Sequence, residues 1–463
     1  MRRPRPPLRR PLPHSPENLR REFRNSQLSK QMTTNNRIRR VAILGGNRIP
    51  FARSNTVYSH ASNQEMLTAA LQGLVDRYQL HGERLGDVVG GAVMKSSRDF
   101  NLVRESVLST TLSRETPAFD LQQACGTGLE AAIVVANKIA LGQIECGIAG
   151  GVDTTSDAPI GLNEKMRRIL LDASRARTTM QRLSVLSRMR PGMLFSPALP
   201  RNGEPRTGLA MGEHAELMAR EWGIRREEQD ELALRSHLHL AKAYESGFFV
   251  DLMTSFKGVS RDNNLRADLT LEKLRSLKPA FDRKVAPEQG TLTAGNSTPL
   301  TDGASAVLLA SEEWARARQL PALAWLTFSE VAAVDFFDKK EGLLMAPAYA
   351  VPRMLARAKL KLQDFDFYEI HEAFAAQVLC TLRAWEDTRY CQERLGLPRA
   401  LGAIAPDKLN INGSSLAAGH PFAATGGRLL ATLAKLLAQK GSGRGLISIC
   451  AAGGQGVVAI LER

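Results

Sequence analysis

The sequence contains no apolar run of about eighteen residues, so it predicts no membrane-spanning helix. It is also poor in cysteine: its five cysteines are scattered, none of them in CxxC spacing. An odd, scattered set argues against a disulfide framework or a zinc cluster and favours a reducing compartment. The 43% of hydrophobic and 24% of charged residues are typical of a soluble globular protein. The length of 463 residues is too great for one core and suggests two or three domains.

The net charge of +15 is concentrated at the amino terminus. Residues 1–40 contain twelve Lys or Arg and two Glu, a net of +10, which leaves +5 for the rest. Six prolines among the first sixteen residues prevent a helix interior there. Residues 1–36 are therefore predicted to be a disordered basic arm.

Three other readings of this arm stay open. As a mitochondrial transit peptide it is suitably Arg-rich, but its prolines oppose an amphipathic helix. As a tether to nucleic acid or anionic lipid it lacks interleaved aromatic residues, and we expect no nucleic-acid partner. We favour the hypothesis that translation starts at Met32 rather than Met1. If translation starts at Met32, the protein is expected to be cytoplasmic. If the arm is a transit peptide, the protein is expected to be mitochondrial.

Apolar strands alternate with amphipathic helices along most of the chain. Strands are predicted at 41–44 and 146–149, and helices at 62–82 and 129–141. This alternation is typical of α/β proteins built from βαβ units around a parallel sheet. Residues 158–290 are more charged and helical, which suggests an inserted domain. The expected organisation is a first half at 37–157 completed by 291–318, a loop domain at 158–290, and a second half at 319–463.

Cys125 lies in "LQQACGTGLEAA", directly before a predicted helix. A thiol at a helix amino terminus faces free N–H groups and the positive end of the helix dipole, which favour the thiolate. A small buried side chain is the alternative, because free cysteines are usually buried. A nucleophilic cysteine also needs a base, so the rest of the chain has to supply one.

Three further segments carry candidate groups. "GHPFAATGG" places His420 on a loop between Gly and Pro, "YEIHEAF" places His371 and Glu372 at a strand end, and "SICAAGGQG" places Cys450 at a strand end. Strand ends are where sites cluster in parallel sheets. Taken singly, His371 with Glu372 could cap a helix, and Cys450 could be core.

Together, "QQACGTG", "HEAF", "GHPFAATG" and "CAAGGQG", in this order, resemble the thiolases. "MGEHAE" and "GTLTAGNSTPLTDGASAV" support the resemblance, which covers about residues 38–463. The HEAF version, "SSRDFNLVRE" and "PRNGEPRTG" are most similar to the β-subunit type of the fatty-acid oxidation complex. The resemblance implies an α/β thiolase-like fold: duplicated βαβ halves in five layers, α/β/α/β/α, with an inserted loop domain. A weak echo between the Cys125 and Cys450 segments fits such a duplication.

The resemblance also implies the catalytic roles. Cys125 would be acylated while His420 takes its proton, and Cys450 would be the second acid/base. The backbone N–H groups of Cys125 and Ala452 would bind the acyl oxyanion. His420 and a water held at His371 would bind the enolate; most thiolases have asparagine at the His371 position. Many relatives have glycine where this chain has Ala452.

Coenzyme A is implied as a substrate, with no cofactor and no metal. By resemblance its pantetheine tunnel is lined by Met211, Ser297, Thr298, Ala373 and Phe374. Arginines within 167–190, or Arg201 and Arg206, could meet its phosphates. Cys146, Cys380 and Cys391 match no motif and are expected to be structural.

The implied assembly is a homodimer or tetramer, with a hydratase/dehydrogenase α-subunit as a further partner. The implied reaction is thiolytic cleavage of 3-oxoacyl-CoA. The alternatives are biosynthetic condensation of two acetyl-CoA, a β-ketoacyl synthase-like enzyme, and an inactive scaffold. Cys450 argues against the synthase, which uses two histidines rather than a second cysteine.

Overall fold

The structure is a computed structural model that describes residues 38–201, 203–281, 284–285 and 289–463. The predicted arm at 1–36 and the question of a start at Met32 lie outside these residues. The strands are β1 Val41–Arg48, β2 Ala52–Arg53, β3 Asp87–Gly90, β4 Ala118–Asp120, β5 Cys146–Asp153, β6 Thr301–Ser311, β7 Ala324–Ala333, β8 Phe367–Ile370, β9 Arg444–Ala451 and β10 Gln455–Glu462.

The helices fall into two groups. Those of the first half and the inserted segment are α1 Asn63–Tyr78, α2 Leu102–Leu108, α3 Thr127–Ala140, α4 Glu164–Arg175, α5 Thr179–Leu186, α6 Pro191–Leu194, α7 Met211–Glu221, α8 Arg226–Glu245 and α9 Leu271–Arg275. Those that follow β6 are α10 Glu312–Ala317, α11 Ala346–Ala358, α12 Ala375–Glu386, α13 Thr388–Glu393, α14 Ser415–Ala418 and α15 Thr425–Lys440. Among the described residues, no helix is both long and apolar enough to cross a membrane.

The strands form one mixed sheet in the order β4-β3-β5-β6-β1-β7-β10-β9-β8, with β2 added beside β6. Only β4-β3-β5 and β8-β9 are parallel; the pairings of β6, β1, β7 and β10 are antiparallel. The prediction of a parallel sheet was therefore wrong for the middle of the sheet. The reason is connectivity: β6 returns beside β5 after the long, mainly helical segment that separates them, and a short turn folds β10 back onto β9.

The two halves repeat one pattern. The order β3-β5-β6-β1 in the first half corresponds to β8-β9-β10-β7 in the second, with the same relative strand directions. The halves meet where β1 pairs with β7 at Ala42 and Ile43. The predicted duplication is confirmed.

Helices α3 and α15 form the central layer between the halves. Leu129 of α3 and Leu433 of α15 share one core with Val307 of β6 and Val457 of β10. Helices α1 and α2 cover the outer face of the first half, and α11 and α12 cover that of the second. The resulting order, helix, strand, helix, strand, helix, confirms the five predicted layers.

Local sequence sets where these elements begin. In α1, the Ser62 hydroxyl accepts from the Glu65 amide at 3.2 Å, and the Glu65 carboxylate accepts from the Ser62 amide at 2.8 Å. This reciprocal cap is the start that the sequence predicted. The helix ends at Tyr78, earlier than predicted, because Gln79 adopts a left-handed conformation with φ 54°.

Candidate active site

Cys125 lies in the tight loop between β4 and α3. The preceding Ala124 has φ 46°, a left-handed conformation that is rare for a residue with a side chain. The Thr127 hydroxyl stabilises this loop, because it accepts from the Gln123 amide at 2.9 Å and donates to the Ala124 carbonyl at 2.7 Å. Such strain is typical of residues held for function.

His420 lies on the loop that precedes α15, and its ring contacts two side chains. Nε2 is 3.1 Å from the Cys125 sulfur, and Nδ1 is 2.6 Å from the Thr425 hydroxyl. The His420 amide donates to the Thr301 hydroxyl at 3.2 Å. His420 therefore lies within hydrogen-bond distance of the Cys125 sulfur, as a general base for this thiol would have to.

Glycines at the crossing of α3 and α15 allow this contact. A Cβ on Gly128 would lie 2.5 Å from the Ala423 carbonyl oxygen, and one on Gly426 would lie 2.2 Å from the Leu129 amide nitrogen. The helix starts can approach this closely only without side chains. Because Cys125 and His420 lie in the short segments that lead into these helices, the crossing brings them together.

Burial sets the protonation of this pair. It raises the pKa of Cys125 to about 12; the nearby backbone N–H groups of Ala452 and Cys125 oppose this rise, and Asp153 adds to it. Burial, with the positive Arg428, lowers the pKa of His420 to about 3. The resting pair is a thiol and a neutral imidazole. The helix dipole alone predicted a thiolate, and desolvation outweighs it here.

Cys450 lies within β9, one residue before its end, and is 1% exposed. It lines the same cavity as Cys125, and its pKa is raised by burial and then by electrostatic coupling to the neighbouring Cys125 thiol. Ala452 is the first residue of the turn to β10. The Cys450 thiol, which the sequence singled out, therefore lies on the wall of the cavity that Cys125 also lines.

His371 follows β8 and is fully buried behind His420 instead of on the cavity wall. The two rings lie 4.1 Å apart at 45°. Nδ1 of His371 is 2.8 Å from the Ser415 hydroxyl, and Nε2 has no partner among the described residues. Burial, followed by His420 and Arg428, lowers its pKa well below the usual value. His371 is therefore neutral, and it packs against His420 without lining the cavity.

The cavity has a volume of about 400 Å³ and a largely apolar wall. All five residues expected along the pantetheine tunnel lie on that wall: Met211, Ser297, Thr298, Ala373 and Phe374. The Thr298 hydroxyl donates to the Ala373 carbonyl at 3.0 Å, and Phe374 packs edge-to-face with Phe281 at 5.9 Å. The largely apolar wall suits the aliphatic part of a thioester arm better than a compact polar ligand.

Comparison with known proteins identifies the family. The profile "Thiolase, N-terminal domain" matches residues 41–313, and "Thiolase, C-terminal domain" matches residues 321–463. The chain belongs to the thiolase family.

Relatives of this thiolase share most of its length. The 3-ketoacyl-CoA thiolase of Pectobacterium carotovorum is 43% identical over 91% of this chain and 96% of the relative; that of Erwinia tasmaniensis is 41% identical with the same coverage. Among solved structures, the Bacillus anthracis acetyl-CoA acetyltransferase has a TM-score of 0.76 at 30% identity, covering 92% of this chain and 99% of the other. The human mitochondrial 3-ketoacyl-CoA thiolase in complex with CoA has a TM-score of 0.75 at 27% identity, covering 92% and 98%.

Several groups at the thiolase site were missed by sequence reasoning. Thr425 contacts His420, and Asp153 accepts from the amides of Val93, Met94 and Ala423, which anchors the His420 loop to β5. Its burial raises the pKa of Asp153 to about 7. The signal for Thr425 was present, since it follows the GHP turn. Asp153 carried none, because it is distant in sequence.

Glu372, considered as a helix cap, instead fixes the His371 loop to two distant segments. Its carboxylate accepts from the Ser236 hydroxyl at 2.7 Å, the Asn410 amide group at 2.7 Å and the Leu416 backbone amide at 3.2 Å. This buried carboxylate therefore orients the loop that presents His371.

Two predicted features are placed differently. None of the arginines at 167–190, nor Arg201 or Arg206, is among the described residues that line the cavity, whereas Arg53 is. Their contact with phosphates stays a prediction.

The ligand atoms of Cys125, His371 and His420 lie within 4.8 Å of one another, close enough for a metal ion. A metal ion bound there would compete with the contact between Cys125 and His420. Because these three side chains could hold an ion, the expectation of a site without metal stays a prediction.

Proposed function

We propose that this acyltransferase of the thiolase family catalyses the reversible thiolytic cleavage of 3-oxoacyl-CoA by coenzyme A in fatty-acid β-oxidation. The observation that carries the proposal is the hydrogen bond between Cys125 and His420, with the Cys450 thiol on the same cavity wall. The relatives named 3-ketoacyl-CoA thiolase support the same substrate class.

In the first half of the reaction, His420 Nε2 takes the Cys125 proton as the sulfur attacks the 3-carbonyl carbon. The tetrahedral alkoxide then collapses and the bond between C2 and C3 breaks, which leaves the electron pair on the enolate of acetyl-CoA. The Cys450 thiol protonates C2. Acetyl-CoA departs, the acyl group remains on Cys125, and Cys450 is a thiolate.

In the second half, coenzyme A enters and its thiol gives a proton to the Cys450 thiolate. The resulting CoA thiolate attacks the acyl carbonyl, and Cys125 leaves as a thiolate that regains its proton from His420. The products are the shortened acyl-CoA and the resting enzyme. A thiol of raised pKa suits Cys450, because it must donate to carbon and then accept from sulfur.

Two sets of donors would stabilise the charged oxygens. The backbone N–H groups of Cys125 and Ala452 lie close enough to the Cys125 sulfur to lower its pKa, and they are the donors available to an acyl oxyanion formed beside that sulfur. His420 lines the cavity and can donate to an enolate oxygen, whereas His371, buried next to it, would act through a bound water. Every proton transfer in this scheme uses a side chain or a substrate, so we propose that no cofactor is needed besides coenzyme A as substrate.

Two variants test the function. Cys125→Ala is expected to abolish acyl-enzyme formation and turnover. Cys450→Ala is expected to keep acylation by acetyl-CoA but to lose condensation and cleavage, because no group is left to exchange the proton at C2. Cys391→Ala, at a buried cysteine on α13, is the matched control.

Loss of 3-oxoacyl-CoA and covalent mass on the protein are the readouts, over esters of several chain lengths. No turnover by the wild-type protein on any ester would overturn the proposed function. Condensation by Cys450→Ala at the wild-type rate would overturn the two-thiol mechanism.

We further propose that the thiolase is a homodimer or tetramer. Edge strand β4, Ala118–Asp120, is half-buried and pairs on one side only, so its free edge can pair with a second copy. Light scattering on the purified protein tests this; a monomer would contradict it.

A hydratase/dehydrogenase α-subunit remains a proposed partner, and a cytoplasmic location the proposed setting. Five free cysteines are consistent with a reducing compartment. Co-purification from the native source tests the partner, and cell fractionation tests the location.

A further inference from the structure

Behind the catalytic pair, three buried side chains form a continuous hydrogen-bonded chain. Arg428, in the first turn of α15, is 4% exposed, and its Nη2 lies 2.8 Å from the Ser415 hydroxyl oxygen. The same oxygen lies 2.8 Å from Nδ1 of His371. Ser415 and His371 are both fully buried.

The donors and acceptors of this chain have one consistent assignment. A guanidinium only donates, so the Ser415 oxygen accepts from Arg428. The other partner of this hydroxyl among the described residues is Nδ1 of His371, which must therefore accept the hydroxyl proton. A proton on Nδ1 would leave the hydroxyl proton buried without an acceptor, which is costly. We infer that Arg428 is a positioning residue that, through Ser415, keeps His371 as the tautomer with its proton on Nε2.

This tautomer is the useful one. Nε2 of His371 is buried and has no partner among the described residues, and one ring nitrogen lies within 4.8 Å of the Cys125 sulfur. A proton on Nε2 makes His371 a donor toward an oxygen that gains negative charge, whereas a lone pair there would repel it. Nε2 of His420 has the opposite task, because it must accept the thiol proton. The two adjacent histidines thus act as one base and one donor.

One guanidinium nitrogen of Arg428 makes both of its side-chain contacts. Nη2 of Arg428 also lies 3.3 Å from the Ser414 hydroxyl, so one nitrogen holds two neighbouring serines at the start of α14. Burial lowers the pKa of Arg428 to about 10, and the neighbouring Glu369 and Glu372 act against that fall, so the guanidinium is still protonated at neutral pH. The positive charge is therefore retained in the core, where it acts on the loop that faces His371.

The tautomer can be read directly by NMR on protein labelled with ¹⁵N only in histidine. The chain has eight histidines, and His371→Ala identifies the signal of His371. We expect Nε2–H in the wild type, and a mixture or Nδ1–H in Ser415→Ala and Arg428→Met. Ser415→Ala keeps the buried charge, so it tests the link even if Arg428→Met fails to fold. Retention of pure Nε2–H in Ser415→Ala would overturn the inference.

A kinetic measurement depends on the proposed function, whereas the NMR measurement of the His371 tautomer does not. The inference and the proposed function can therefore be refuted separately. We expect Arg428→Met to lower kcat about tenfold or more with little change in KM, as for loss of an orienting partner. In a His371→Ala background the same change should add less than about twofold, because the two residues act through one group. Independent, multiplicative losses would contradict the positioning role. Ser106→Ala, a buried serine on α2, is the matched control for the unfolding temperature.

Discussion

Replacement of His420 by alanine tests the central claim that the nucleophile rests as a thiol. With the pKa of Cys125 at about 12, only about one sulfur in 30,000 is ionised at pH 7.5. Without its base the enzyme must rely on that fraction. General-base assistance typically contributes about 10²–10⁴-fold, so we expect acylation to slow by about 10³–10⁴-fold.

The pH dependence supplies the sharper test. The acylation rate of His420→Ala should rise about tenfold per pH unit between pH 7 and pH 10, because the thiolate fraction rises in that proportion. The wild-type rate should be flat over the same range, since His420, with a pKa of about 3, is already unprotonated.

Single-turnover loss of 3-oxoacyl-CoA, quenched and analysed by mass spectrometry, measures both rates. His60→Ala, at an exposed histidine, serves as the control. A variant within tenfold of wild type, or one with a flat pH profile, would refute the thiol–imidazole assignment.

Three other changes probe the scaffold of the site. Thr425→Val removes the partner of His420 Nδ1 and is expected to slow acylation about tenfold with KM unchanged; an unaltered rate would contradict an orienting role. Gly426→Ala should lower the free energy of unfolding in urea by about 1–3 kcal/mol, because its Cβ meets backbone, whereas Gly192→Ala, with open space around it, should not. His237 is buried and its pKa is lowered to about 4, so below pH 6.5 the unfolded chain binds a proton that the folded chain does not. Between pH 7 and pH 4.5 the wild type should therefore lose about 2 kcal/mol more stability than His237→Gln, and equal losses would refute this sign.

Most local structure was predictable from the sequence. The strands at 41 and 146, the Ser62 cap and the glycine-rich start of α3 follow from periodicity and capping chemistry, which act between residues near in the chain. The order of four motifs indicated the thiolase family, and with it the lining of the cavity, before any distance was known.

Tertiary structure decided what depends on long-range packing. Cys125 and His420 are 295 residues apart, and spacing says nothing about their 3.1 Å contact, which the glycine crossing of α3 and α15 creates. The middle of the sheet is antiparallel because the connections bring β6 back beside β5 and β10 back beside β9. Burial reversed the expected protonation of Cys125. Desolvation depends on all the residues packed around the thiol, whereas the helix dipole depends on α3 alone. His371 is buried next to the cavity, and its inferred role depends on its contact with Ser415, which in turn contacts Arg428.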